Sequence, residues 1–313
     1  MMSSERGYAV GIDLGGTTIK YAVVDSLGEF HFEGILPTPA TEGAEAVTAQ
    51  IVRAVEACQA YSKEHGIALR GVGVGTPGVI SADGREVVGG AENIAGWEGV
   101  ALASAVETRT GLAARLDNDA NLMALAETLF GAAKGSSDVV FLTIGTGIGG
   151  GVLIDGKLRG GYQNRGMELG HVTLIADGEE CACGARGCLE HYASTAALVR
   201  RFKERCRREG IECEDADGRK IVELYHAGDR VAVESLEEHW RFVAQGVRSY
   251  INIFAPQRVV IGGGISEAGD FYFDKIREYV AQSVMEVCGS HTEIVAAQLG
   301  NRAGCLGAAG LIL

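Results

Sequence analysis

A strand, a glycine- and threonine-rich turn and a returning strand open the chain, and the same unit comes back in its middle. Residues 8–14 read as a strand, Gly15-Gly16 as a turn and residues 19–25 as the second strand. Residues 139–144, the turn Gly145-Thr146-Gly147-Ile148-Gly149-Gly150 and residues 151–154 repeat that order. An Asp-containing turn follows each unit, at Asp25 and at Asp155-Gly156. Gly15 and Gly145 stand 130 residues apart. An internal repeat of a supersecondary unit at that distance points to two related α/β domains in one chain.

The segments around the repeats alternate between strand and helix. Residues 29–36 read as a third strand. Val47, Ile51, Ala54, Val55 and Cys58 share one helical face within residues 43–65, and Gly66 ends that helix. Residues 70–75 form a buried strand, 100–110 a helix closed by Gly111, 113–116 a strand and 119–133 a helix. The second half continues with helices over 195–209, 219–227 and 230–253, and a buried strand over 258–261 that ends in Gly262-Gly263-Gly264. A helix over 271–288, a strand over 293–297 and a very apolar helix over 302–313 complete the chain. So apolar a helix must pack on something large, and the N-terminal domain is the natural host. The expected division is residues 1–117 plus 301–313 for a smaller domain and 118–300 for a larger one.

Composition narrows the function classes. Of 313 residues, 46 are Gly and 4 are Pro, without the three-residue period of collagen. Glycine in that excess marks tight turns and places where backbone approaches a ligand closely. The net charge of −13 argues against a nucleic-acid binder. The run Arg200, Arg201, Lys203, Arg205, Arg207, Arg208 reads as the solvated face of a helix. The most apolar stretch, residues 139–154, is broken by glycines and does not read as a membrane span. Residues 1–7 carry no apolar signal region. The expectation is a cytoplasmic protein with neither membrane nor nucleic-acid partners. In that compartment the eight cysteines are thiols rather than disulfides.

The glycine loops carry the first chemistry. Gly145-x-Gly147-x-x-Gly150 and Gly73-x-Gly75-x-x-Gly78 match a dinucleotide fingerprint as strings, but neither has the strand before and helix after that it needs. No P-loop string is present. What remains is two Gly/Thr hairpin turns, one per domain, facing each other across a cleft, with Gly262, Gly263 and Gly264 as a third loop. Such turns aim backbone N–H groups at phosphate oxygens. Thr17, Thr18 and Thr146 add hydroxyls, and Asp13 is placed to hold Mg²⁺ through waters. Cys181, Cys183 and Cys188, with His171 ten residues before the first of them, supply the four N/S ligands of a closed tetrahedral Zn²⁺ site.

Taken together, Asp13-Leu-Gly-Gly-Thr-Thr-Ile-Lys20, Asp117-Asn-Asp-Ala-Asn121, Ile144-Gly-Thr-Gly-Ile-Gly-Gly-Gly151, Glu168-Leu-Gly-His171 and Cys181-Ala-Cys-Gly-Ala-Arg-Gly-Cys-Leu-Glu190 resemble the ROK kinases. These sit within the actin/hexokinase/Hsp70 ATPase superfamily. With Gly262 to Gly264 the resemblance spans nearly the whole chain. It implies an α/β fold of two actin-like, ribonuclease H-like domains with an active-site cleft between them. It also implies that ATP is held by Asp13, Gly15, Gly16, Thr17, Thr18, Lys20, Gly145, Thr146 and Gly147, with its adenosine at Gly262 to Gly264.

By the same resemblance Asp119 is the catalytic base, and the dipole of the helix it opens favours its charged form. Asn118, Glu168, His171 and Glu190 bind the sugar, with His171 using one ring nitrogen for zinc and the other for a sugar hydroxyl. Asn93 resembles the sugar-contacting Asn of an Asn-x-x-Gly-Trp segment, although Glu92 stands where a Pro-Asn pair would have its Pro. The activity implied is transfer of phosphate from ATP to the 6-hydroxyl of a hexose, most directly glucose. An N-acylhexosamine kinase is the nearest alternative. A sugar-responsive transcriptional regulator is remote, because the first phosphate turn begins at residue 13 and leaves no room before it for a DNA-binding segment. The family implies a homodimer or homotetramer.

Overall fold

Two five-stranded sheets of the same strand order organise the chain, which the computed structural model describes over residues 6–91 and 94–313. In the first, β1 (Tyr8–Leu14), β2 (Thr18–Asp25) and β3 (Phe30–Pro37) form an antiparallel meander. After α1 (Ala44–Glu64), β4 (Leu69–Thr76) pairs in parallel with β1. A small hairpin of β5 (Val79–Ile80) and β6 (Val87–Gly89) precedes α2 (Leu102–Thr110). β7 (Ala114–Asn118) then joins β4 in parallel and runs straight into α3 (Asp119–Leu129), giving the order β3-β2-β1-β4-β7.

The second sheet repeats this plan. β8 (Val139–Ile144) and β9 (Ile148–Ile154) form an antiparallel hairpin with the short β10 (Lys157–Leu158) at the edge. The helices α4 (Glu190–Ala193), α5 (Thr195–Arg208), α6 (Gly218–His226) and α7 (Arg230–Phe254) follow. β11 (Arg258–Gly262) pairs in parallel with β8. After α8 (Asp270–Ala281) and α9 (Glu286–Gly289), β12 (Glu293–Ala296) pairs in parallel with β11. The order is β10-β9-β8-β11-β12. The repeat announced by two turns extends to the whole of both sheets.

The first unit comprises the described residues up to Gly135, together with Leu158–Met167 and Leu299–Leu313. One face of its sheet packs Val10, Ile12, Val72 and Val74 with residues of α1 and α2, and includes the fully buried Trp97. The other face receives α10 (Ala303–Gly310), as expected of so apolar a helix. The approach is backbone to backbone. A Cβ on Gly11 would lie 2.0 Å from Cys305 O, and one on Gly73 1.7 Å from Ala308 O. Only glycine admits the helix at that distance.

The boundary expected at 117/118 falls later, at Gly135. The reason is α3, which packs on α10 with Gly307 against Leu122 O. Residues 158–167 also belong to the first unit, where Asn164 Nδ2 donates to Ile80 O at 3.1 Å. Helix α3 is shorter than expected as well. The fully buried Glu127 turns the chain back by accepting Ala132 N at 2.8 Å, and it also takes Leu299 N at 2.9 Å.

The second unit holds Ser136–Lys157 and Glu168–Gln298. Ser194, Asp217 and Asp229 cap α5, α6 and α7 by accepting Ala197 N, Lys220 N and Ala232 N. The single helix expected over 271–288 is two. Met285 is extended, and its N–H goes to Asn252 Oδ1 on α7 instead of into a helix.

Candidate active site

The turn between β1 and β2 is fixed by Gly15 N donating to Thr18 O at 2.9 Å and by Thr38, whose hydroxyl donates to Gly15 O at 2.8 Å. Gly16 and Thr17 are exposed at its tip, while Thr18 and Lys20 are half-buried. Asp13 lies just before the turn and is buried. Burial pushes its carboxyl above the usual aspartate range, and Lys20, with Nζ at 3.8 Å, pulls it part of the way back. No hydrogen bond among the described residues reaches this carboxylate. A desolvated carboxylate with one distant ammonium is a hard oxygen donor suited to Mg²⁺.

At the β7–α3 junction the sequence Asp117-Asn118-Asp119 divides its labour. Asn118 is the helix cap: Oδ1 accepts from Ala120 N at 2.9 Å and Asn121 N at 3.4 Å, and Nδ2 donates to Gly78 O at 3.1 Å. That leaves one amide N–H of Asn118 for a ligand. Asp117 is held by Asn118 N at 2.7 Å and Asn121 Nδ2 at 2.9 Å, and burial raises its pKa against these bonds. Asp119 is the first helical residue and half-buried, with Oδ1 accepting from Ala120 N at 2.9 Å. The capping role that an acid at a helix start usually has belongs here to its neighbour.

In the second unit the turn narrows to Gly145-Thr146-Gly147, because Gly149, Gly150 and Gly151 lie within β9. Gly145 N donates to Gly147 O, and Gly145 O accepts from Thr195 N, both at 2.9 Å. Glu168 and His171 span a 3₁₀ turn in which His171 N donates to Glu168 O at 3.0 Å. The 3₁₀ segment is Leu169–His171, and Glu168 precedes it as the capping residue with non-helical backbone. The Tyr250 hydroxyl donates to Leu169 O and pins this turn to α7. Glu190, at the start of α4, accepts from Ile148 N at 2.8 Å.

His171, Cys181, Cys183 and Cys188 converge, with their donor atoms all within 4.8 Å of one another. Cys181 Sγ lies 3.5 Å from His171 Nδ1, and Cys183 Sγ lies 3.7 Å from Cys188 Sγ. A zinc tetrahedron with Zn–S bonds of about 2.3 Å has edges of about 3.8 Å, so spacing and donor set fit that ion. Nδ1 faces the sulfurs, which leaves Nε2 for another partner. Burial pushes the Cys188 thiol up to about 12, whereas a backbone hydrogen bond at Ala185 holds Cys183 low.

Gly262 ends β11, and Gly263 turns the chain at φ +88° with Ile144 O where a Cβ would be. Gly145 and Gly264 by contrast face open space. Both line a cavity of about 630 Å³, and Gly264 lines a neighbouring one of about 330 Å³. Thr195 borders both, and its buried hydroxyl has no hydrogen-bond partner among the described residues. Nothing local in the chain marks Thr195, because its position depends on α5 starting against Gly145.

The basic run on α5 is more than a solvated face. Arg200, Lys203 and Arg207 line the larger cavity. Arg201 turns inward over the Tyr192 and Phe242 rings and donates to Tyr192 O and His191 O.

The ROK family model matches residues 9–313. The chain belongs to the ROK family. This ROK chain is 37% identical to the glucokinase of Streptomyces coelicolor over 317 residues, which cover 97% of each protein. Its structure is similar to that of a ROK family glucokinase from Streptomyces griseus in complex with glucose and AMPPNP. There the TM-score is 0.80 and the identity 35%, over 98% of this chain and 99% of that one. The ROK hexokinase from Thermus thermophilus gives a TM-score of 0.83 at 34% identity, over 97% of each chain. The actin-like α/β fold class expected from the sequence is the fold found.

One site residue expected in this ROK chain, Asn93, lies outside the described residues. Trp97 of the same segment is a core residue, fully buried, with Nε1 donating to Thr76 Oγ1 at 2.9 Å. No helix among the described residues is long and apolar enough to cross a membrane.

Proposed function

We propose that the chain is an ATP-dependent glucokinase that phosphorylates the 6-hydroxyl of glucose. The observation that carries the reading is Asp119, a half-buried carboxylate at a helix start where Asn118 does the capping. Full-length similarity to glucokinases supports glucose over the N-acylhexosamines.

Asp119 accepts the proton of the 6-hydroxyl as that oxygen forms its bond to the γ-phosphorus. The bond from phosphorus to the β,γ-bridging oxygen breaks, and ADP leaves. General-base help of this kind is worth about 10²–10⁴-fold. The rest of the acceleration comes from positioning and charge neutralisation. Gly15 to Thr18, Lys20 and Gly145 to Gly147 hold the phosphates, while the cavities at Gly264 and Thr195 receive the nucleoside. Magnesium bound with the nucleotide, near Asp13, supplies neutralisation of phosphate charge. Glu168, His171 Nε2, Glu190, Asn93 and the remaining amide N–H of Asn118 orient the sugar hydroxyls. Zinc at Cys181, Cys183, Cys188 and His171 Nδ1 is structural and holds the imidazole in place. The protein works in the cytoplasm as a homodimer or homotetramer, without nucleic-acid partners.

Initial rates with glucose, mannose, fructose, N-acetylmannosamine and N-acetylglucosamine test the substrate. Glucose is expected to give the highest kcat/KM. A preference for either N-acylhexosamine contradicts the assignment.

A further inference from the structure

Glu190 serves two elements at once. It follows the Cys188 end of the knuckle, and its backbone carbonyl accepts from Ser194 N at 3.1 Å. Its side chain crosses to the head of β9, where Oε2 takes Ile148 N at 2.8 Å. Ile148 is the residue directly after Gly145-Thr146-Gly147. The carboxylate stands so close behind that turn that a Cβ on Gly147 would lie 2.3 Å from Oε2. The other end of the turn is held by Thr195 N on Gly145 O at 2.9 Å. The short segment from Glu190 to Thr195 therefore grips the phosphate turn at both ends, once by a side chain and once by backbone. Oε1 makes no hydrogen bond among the described residues. Cys181 and His191 place donor atoms within 4.8 Å of the same carboxylate, which restricts its travel.

We propose that Glu190 is a positioning residue for the phosphate turn in addition to a sugar ligand. Oε2 fixes Gly145 to Gly147 through Ile148 N, and Oε1 remains for a sugar hydroxyl. One carboxylate then couples nucleotide and sugar affinity. The sugar half of this statement rests on the kinase reading above, whereas the turn half needs only that Gly145 to Gly147 hold phosphate.

Calorimetric titration of the full chain with Mg²⁺ and a non-hydrolysable ATP analogue, without sugar, separates the two roles. Glu190→Gln keeps an acceptor oxygen within reach of Ile148 N, and its nucleotide Kd should stay within about twofold of the unmodified protein. Glu190→Ala loses the bond, and its Kd should rise about tenfold. Glucose affinity should fall in both variants. Equal nucleotide affinity in all three proteins would overturn the positioning role and leave Glu190 a sugar ligand alone. Glu190→Asp covers the case in which the alanine variant does not fold, since it keeps the charge but is one methylene too short to reach Ile148 N. It should weaken nucleotide binding like alanine, and unchanged binding overturns the proposal equally. An unmodified protein that binds the nucleotide but no glucose refutes the sugar reading without touching the Gln–Ala comparison.

Discussion

Gly304, on the C-terminal helix, is packed so tightly on Asp13 that a Cβ there would lie 2.3 Å from the carboxyl carbon. The last helix thus sets where the carboxylate before the first phosphate turn can stand. Gly304→Ala should displace Asp13 and overpack the site at a cost of about 1–3 kcal/mol. The expected outcome is a lower denaturation midpoint together with a raised KM for Mg-ATP, measured at saturating sugar. A variant with unchanged KM for Mg-ATP would detach Asp13 from nucleotide binding.

Asn118 and Asp119 should separate by phenotype. Asp119→Asn should lose about 10²–10⁴-fold in turnover at a stability cost of no more than about 1 kcal/mol from the lost charge at the helix start, because the cap is Asn118. Asn118→Ala should cost about 1 kcal/mol of stability. Paired melting curves and steady-state rates check both. Normal turnover in Asp119→Asn removes it as the base.

These positions show what local sequence can and cannot carry. The hairpin turns, the strand–helix alternation and the Cys/His cluster were legible because each signal lies within a few residues of its consequence. The glycines were legible only as an excess. Gly11 and Gly73 exist for a helix more than 200 residues further on, Gly263 for a turn, and Gly145 and Gly264 for open space beside a cavity. No local pattern separates those three jobs. The first unit runs past the expected 117 for the same reason, since the place of α3 is decided by α10. The basic run on α5 read as solvated because its charges repeat like a surface stripe, and only the tertiary arrangement turns three of them towards a cavity. The bond from Glu190 to Ile148 N links positions 42 residues apart and leaves no trace in either segment.

The knuckle should hold metal. Elemental analysis should find about one zinc per chain. Cys183→Ser should lower thermal stability and raise the KM for sugar on the order of tenfold, with a smaller effect on Mg-ATP. Metal-free protein with full stability and full sugar affinity would refute the structural role.

Asp25 supplies a pH-dependent part of the stability of the first unit. Its carboxylate is buried and accepts from Leu27 N, Glu29 N and Arg6, with His31 Nε2 at 3.0 Å. Burial alone would raise its pKa, but the His31 hydrogen bond and the two backbone N–H groups outweigh it and hold the pKa below the usual aspartate range. A carboxyl with a depressed folded pKa adds stability above its unfolded pKa and loses it as pH falls through the folded one. Asp25→Asn should therefore destabilise the protein near neutral pH by about 1–3 kcal/mol. The gap to the unmodified protein should narrow as pH is taken below about 3.9. Denaturant melts across that range check the slope, and a gap independent of pH contradicts it.

Phosphoryl transfer to the 6-hydroxyl of glucose is followed directly by ³¹P NMR of purified protein incubated with glucose and Mg-ATP. Glucokinase activity through Asp119 predicts stoichiometric ADP and glucose 6-phosphate, with no product from the Asp119→Asn variant on the same timescale. Phosphate on any other glucose oxygen, or no sugar phosphate at all from a folded protein, would contradict it.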